Sequence, residues 1–219
     1  MTDALYPFLS GSTPARDPAD LLADVARSTR EKLAEIERVR ARVLDSEGPA
    51  LIACATEMAL RFARGGRLHV FGNGGSSTDA LAVASLFTAP GPGRRPLPAM
   101  ALPADVASLT ALANDVTFDV VFARPLAGSG RRDDIALGLS TSGGSVNVVR
   151  GLDVAHERGL LTVALAGAGG GAMAEAAERG RLAHLFVMPS ASVHRIQEAQ
   201  TTVYQVLWEL VQRALGNPS

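Results

Sequence analysis

Two short Gly/Ser-rich segments place backbone and hydroxyl donors where chemistry on an anion is possible. The first is Phe71-Gly72-Asn73-Gly74-Gly75-Ser76-Ser77, following Arg67-Leu68-His69-Val70. The second is Ser140-Thr141-Ser142-Gly143-Gly144-Ser145, following Ile135-Ala136-Leu137-Gly138-Leu139. Each leads from a strand-like apolar run into a helix-like segment. Glycine lets backbone N–H groups approach a ligand closely, serine and threonine add hydroxyl donors, and a helix N-terminus favours negative charge. Gly and Ser also populate ordinary turns. Two such loops in matching positions of consecutive α/β units point to a phosphate-bearing ligand.

Other phosphate motifs fit less well. In the first loop Gly72-x-Gly74 opens a helix, but the third glycine position is Ser77. The stretch about 20 residues on, Gly91 to Pro96, lacks the acidic residue that holds a ribose. No Gly-Lys-Ser/Thr follows, so the loop is not a P-loop. Its serines suit a single phosphoryl group.

The elements that position these loops alternate along the chain. Strands are expected near 67–71, 97–102, 134–139, 161–166 and 184–188. Helices are expected near 76–88, 105–113, 116–127, 145–158, 172–179 and 192–215. This pattern predicts a three-layer α/β/α fold with a five-stranded, mainly parallel sheet, binding its ligand at the carboxyl ends of the strands. Residues 1–17 read as a flexible arm and 18–219 as one domain. That domain begins with a helix from Asp17-Pro18 to about Ser46, stopped by Gly48-Pro49, and a second over about 50–64. Leu22, Val25, Leu33, Ile36, Val39 and Val43 form a stripe on the first helix. With the apolar final helix it predicts self-association into a dimer or tetramer.

Composition excludes several classes. The 219 residues carry a formal net charge of −1, which gives no electrostatic basis for binding nucleic acid or anionic membrane. Cys54 is the single cysteine, so there is no intramolecular disulfide or cysteine metal cluster. No apolar run approaches the roughly 20 residues of a membrane helix, and Met1–Pro7 has no secretory pattern; a cytoplasmic location is expected.

Five motifs in order resemble the sugar isomerase (SIS) domain family, in its phosphoheptose isomerase group. They are Gly72-Asn73-Gly74-Gly75-Ser76 with Asp79-Ala80; Leu109 to Asp115; Phe122-Ala123-Arg124; Leu139-Ser140-Thr141-Ser142-Gly143 with Ser145; and Arg195-Ile196-Gln197-Glu198. The resemblance implies a flavodoxin-like SIS fold and a phosphorylated-sugar substrate. It implies substrate-binding roles for Asn73, Gly74, Gly75, Ser76, Asn114, Asp115, Ser140, Thr141, Ser142, Ser145 and Gln197. On the residues alone, Asn114-Asp115 could equally be a helix stop and cap.

The chain departs from the group at the catalytic centre. The group's zinc site uses a histidine and a glutamate one turn apart on the helix after the first loop, where this chain has Ala82 and Leu86. It uses a glutamine and a histidine on the last helix, where this chain has Gln197 and Gln205. The zinc site is therefore expected to be lost, leaving no metal or other cofactor. The aspartate expected before the Arg-Ile-Gln-Glu motif is His194. His194 and Glu198, i and i+4, could form a relocated acid/base pair; they could equally be a solvated cap and first turn. Asp79 is a further candidate, or a brace for its loop. Two functions follow: a metal-independent sugar-phosphate isomerase acting on a sedoheptulose 7-phosphate-like substrate, or a non-catalytic phosphosugar sensor or scaffold. The second resembles the DnaA initiator-associating protein, and would have a protein partner.

Overall fold

The computed structural model describes residues 17–216; the expected arm, save Asp17, lies outside them. Residues 18–63 form one helix, α1 (Pro18–Ala63). The chain divides into two compact units, the first ending at Glu37 and the second starting at Arg38. In the first, the Asp17 carboxylate caps the start of the helix by accepting from the Ala19 N–H at 2.9 Å. Leu21, Leu22, Val25 and Leu33 are all half or more exposed there.

In the second unit the helix runs through Gly48-Pro49, which corrects the expected break. Pro49 removes one i→i−4 hydrogen bond. However, Val39 and Val43 before it, and Leu51, Cys54, Ala55, Met58 and Phe62 after it, are all buried. Packing on both sides of the proline outweighs the local cost. Burial, and then the charge of Glu57, push the Cys54 thiol up, as befits an inert core residue.

Five parallel strands follow: β1 (Leu68–Gly72), β2 (Ala99–Ala101), β3 (Ile135–Ser140), β4 (Leu161–Gly167) and β5 (His184–Met188), in the order β2-β1-β3-β4-β5. β1, β3 and β4 are buried along their whole length, as strands covered on both faces must be. The covering helices are α2 (Gly75–Thr88), α3 (Val106–Asp115), α4 (Ala123–Ser129), α5 (Val146–Glu157), α6 (Gly171–Glu178) and α7 (Val193–Ala214). The single helix expected over 116–127 is instead a 3₁₀ turn, Phe118–Val120, followed by α4. Pro125 cannot donate to the carbonyl four residues back, so the helix restarts with Pro125 in its first turn.

β1 sits between β2 and β3, which makes the β1/β3 boundary the point where strand order reverses. Leu68 pairs with Ile135 and Gly72 with Leu139, so the two strands end together and deliver both Gly/Ser loops to one place. Among the described residues, no helix is long and apolar enough to cross a membrane.

Candidate functional site

The first loop is held by its asparagine. Asn73 Nδ2 donates to Asn147 Oδ1 at 2.8 Å, and Asn147 Nδ2 donates back to Asn73 Oδ1 at 2.9 Å. Asn147, buried in the first turn of α5, thereby ties the first loop to the helix that follows the second. Gly74 (φ +53°, ψ −122°) caps α2 with no side-chain bond, a conformation suited to glycine. The Ser77 and Thr78 hydroxyls turn back onto the Gly74 and Gly75 carbonyls, at 2.8 and 2.6 Å. Ser76 is buried at the base of the loop.

The second loop gathers hydroxyls. Ser140, only 4% exposed, lies 3.0 Å from Ser145 Oγ and 3.3 Å from Ser142 Oγ. The Gly144 N–H donates to Ser142 Oγ at 3.2 Å. Ser145 is the N-cap residue of α5 and makes no side-chain cap bond, so its hydroxyl stays with the trio. Thr141 is half-buried beside them. A third turn backs this loop: Ala168, Gly169, Gly170 and Gly171 all have positive φ. Gly143 (φ +66°) accepts from Met173 N at 3.0 Å, and a Cβ on it would stand 2.0 Å from the Gly170 carbonyl oxygen.

The final helix supplies the cover. Gln197 Nε2 lies 2.0 Å from where a Cβ on Gly75 would be, so its carboxamide rests on the first turn of α2. Gln200, fully buried, fastens α7 by donating from Nε2 to the Leu165 carbonyl of β4 at 3.1 Å. Asp79 is half-buried one turn into α2, and its Oδ2 is enclosed without a hydrogen-bond partner. Burial raises its carboxyl above the usual carboxylate range. Burial also raises the Tyr204 phenol on α7; a hydrogen bond from Thr201 opposes this and the charge of Asp79 adds to it. The α2/α7 seam thus carries Gln197, Asp79 and Tyr204.

Other expected site residues lie differently. Asn114 donates to Asp115 Oδ1 at 2.7 Å at the exposed end of α3, and no hydrogen bond joins either to the loops. His194 is exposed at the start of α7, and Glu198 forms an ion pair with Arg195 rather than with His194. Ala82 and Gln205 are exposed and Leu86 is partly buried. A methyl, an isobutyl and two carboxamides do not fit a zinc ligand set. Among the described residues no three His, Cys, Asp or Glu side chains converge on a metal-sized space. Asn147, Gln200 and the Ala168–Gly171 turn are site elements that the sequence reading missed; the glycine run was the one local signal.

Comparison with known proteins identifies the family and supports the fold. The family profile described as SIS domain matches residues 33–167. A phosphoheptose isomerase of Pelodictyon phaeoclathratiforme is 41% identical over 182 residues, covering 82% of this chain and 84% of that protein. One from Aquifex aeolicus is 40% identical over 186 residues, covering 84% and 91%. Among solved structures, a phosphoheptose isomerase from Neisseria gonorrhoeae superposes with TM-score 0.78 at 30% identity, covering 86% of this chain and 99% of its own. On the sequence motifs, the β1/β3 loops and these relatives together, the chain belongs to the SIS domain family, in its phosphoheptose isomerase group.

Proposed function

We propose that this chain binds a phosphorylated sugar between its two Gly/Ser loops and interconverts its aldose and ketose forms without the group's zinc. The substrate class is a sedoheptulose 7-phosphate-like sugar. The observation that carries the reading is the trio of hydroxyls around buried Ser140, opening beside the uncapped N-terminus of α2. Ser140, Ser142, Ser145, Thr141 and Ser76, with the N–H groups of Gly74 and Gly75, hold the phosphoryl oxygens by directed hydrogen bonds. Gln197 covers the sugar beside Gly75, and Asn73 keeps the loop in shape.

Isomerisation removes a proton from the hydroxyl-bearing carbon next to the carbonyl and returns one to the former carbonyl carbon, while a proton moves between the two oxygens. His194 and Glu198 are the proposed pair, with Asn114 and Asp115 toward the substrate. Glu198 must leave Arg195 to take a proton. Asp79, whose burial favours its protonated form, is a second proton donor on the α2/α7 seam.

Replacement of the metal ligands by Ala82, Leu86 and Gln205 favours a second reading, a non-catalytic phosphosugar sensor with a protein partner. Incubation with sedoheptulose 7-phosphate followed by NMR, alongside thermal shift with the same compound, separates the two. New aldose-phosphate signals establish the isomerase. Stabilisation without turnover establishes the sensor, since a ligand selective for the folded state raises its stability whether or not it reacts. Absence of both turnover and stabilisation refutes the cradle. We also propose that Leu21, Leu22, Val25 and Leu33 face a second copy of the chain, which light scattering on a Leu22→Asp variant tests.

A further inference from the structure

The opposite end of the sheet holds a cavity of about 480 Å³, which the proposed sugar-phosphate chemistry does not use. Arg67 immediately precedes β1, Asp134 precedes β3, and Arg158 follows α5 on the way to β4. All three line the cavity, together with Arg131, Gly65 and Gly130. The cavity therefore sits at the amino ends of the strands whose carboxyl ends carry the Gly/Ser loops.

Its charge is one-sided. Asp134 is 4% exposed and its oxygens are taken up: Oδ1 accepts from Arg67 N at 2.8 Å, and Oδ2 from Arg131 N at 3.0 Å while lying 3.0 Å from His69 Nε2. The neighbouring Asp133 pairs with Arg64 at 3.7 Å. By contrast, among the described residues the guanidinium groups of Arg67 and Arg131 make no ion pair or hydrogen bond, and Arg158 uses only Nε, toward the Gly130 carbonyl at 3.3 Å. Three arginines thus line a space whose single carboxylate is already satisfied. Its volume is in the range of small-molecule sites. Guanidinium groups suit phosphoryl oxygens because they offer paired donors in a planar fork.

We infer that this cavity is a second anion site, taking a small molecule with more than one phosphoryl charge, independently of the sugar site. The probe is pyrophosphate, titrated calorimetrically into the full chain. Three double variants are compared: Arg67→Gln with Arg131→Gln in the cavity, Ser140→Ala with Ser142→Ala in the loops, and Arg38→Gln with Arg42→Gln on exposed positions of α1. The cavity variant is expected to weaken pyrophosphate binding about tenfold or more, the loss expected of one or two charge-assisted hydrogen bonds. The α1 variant is expected to leave it unchanged, and a binding event is expected to survive in the serine variant. The replaced arginines are exposed, so folding is retained, which a thermal melt checks; Arg158→Gln provides an independent second test. The inference is overturned by undiminished binding in the cavity variant, by an equal loss in the α1 variant, or by absence of binding once the serines are gone.

Discussion

At the carboxyl ends of β1 and β3 the segments Asn73–Ser76 and Ser140–Ser145 offer hydroxyls and N–H groups and contain no cationic side chain. At the amino ends of the same strands the chain gathers Arg67, Arg131 and Arg158 around one engaged carboxylate. The first arrangement suits an anion by direction, with Ser140 held between Ser142 and Ser145. The second suits it by charge, through long and flexible arginine side chains. Neutral, fixed donors in a partly buried loop are little affected by salt, whereas exposed guanidinium groups are screened within roughly 10 Å at 0.1 M ionic strength. On the two proposed assignments, one sheet carries both ways of holding an anion, by organised neutral donors at one end and by cationic side chains at the other.

The most severe way to break the comparison is Gly143→Ala. Its new methyl would meet the Gly170 carbonyl from a left-handed backbone, so a loss of about 3 kcal/mol or more is expected by chemical denaturation, together with loss of sugar-phosphate binding. Next is Asp134→Ala, which strips buried His69 of its partner and frees the Arg67 and Arg131 N–H groups. It is expected to cost roughly 2–4 kcal/mol while leaving the serine loop in place. Burial alone would raise the Asp134 carboxyl, but the His69 bond, the two backbone N–H bonds and the His69 charge together hold it below the ordinary range. Its stabilisation is therefore complete above the unfolded value of about 3.9 and fades as pH falls through the lower folded value. Acid titration of wild type against Asp134→Ala shows that step or refutes it.

Ser140→Ala sharpens the comparison at the other end. Loss of about 1–3 kcal/mol in phosphosugar affinity is expected, with affinity at the arginine cavity unaltered. The smallest effect is expected from Asp79→Asn. The raised folded value of Asp79 means its charge opposes folding as pH climbs above about 3.9. The variant should melt slightly higher than wild type at neutral pH and equally below pH 3.9; a lower neutral melting temperature would contradict the assignment.

What the sequence disclosed was what neighbouring residues decide. The five strands and the two loops were legible because each rests on a run of adjacent residues; Ala82, Leu86 and Gln205 drew attention only through the family resemblance, since nothing in their own chemistry marks a metal position. The continuity of α1 was not, since Pro49 is a local break that only distant packing overrides. Nor were Asn147, 74 positions from its partner Asn73, or Gln200, 35 from Leu165. Asp134, 65 positions from His69, was hidden in the same way. Hydrogen bonds between elements leave no period in the sequence.

The Asn73–Asn147 pair also bears on how the molecule ages. Asn-Gly is the dipeptide most open to spontaneous deamidation, because an unhindered glycine nitrogen can attack the asparagine side-chain carbon and expel ammonia. Here both polar atoms of the Asn73 carboxamide are held by Asn147, at 2.8 and 2.9 Å, which turns that carbon away from free rotation toward the Gly74 nitrogen. The two hydrogen bonds that shape the loop are therefore expected to slow its deamidation. On prolonged storage at mildly alkaline pH, an Asn147→Ala variant should accumulate aspartate and isoaspartate at position 73, detectable by peptide mapping, while the parent chain keeps its amide.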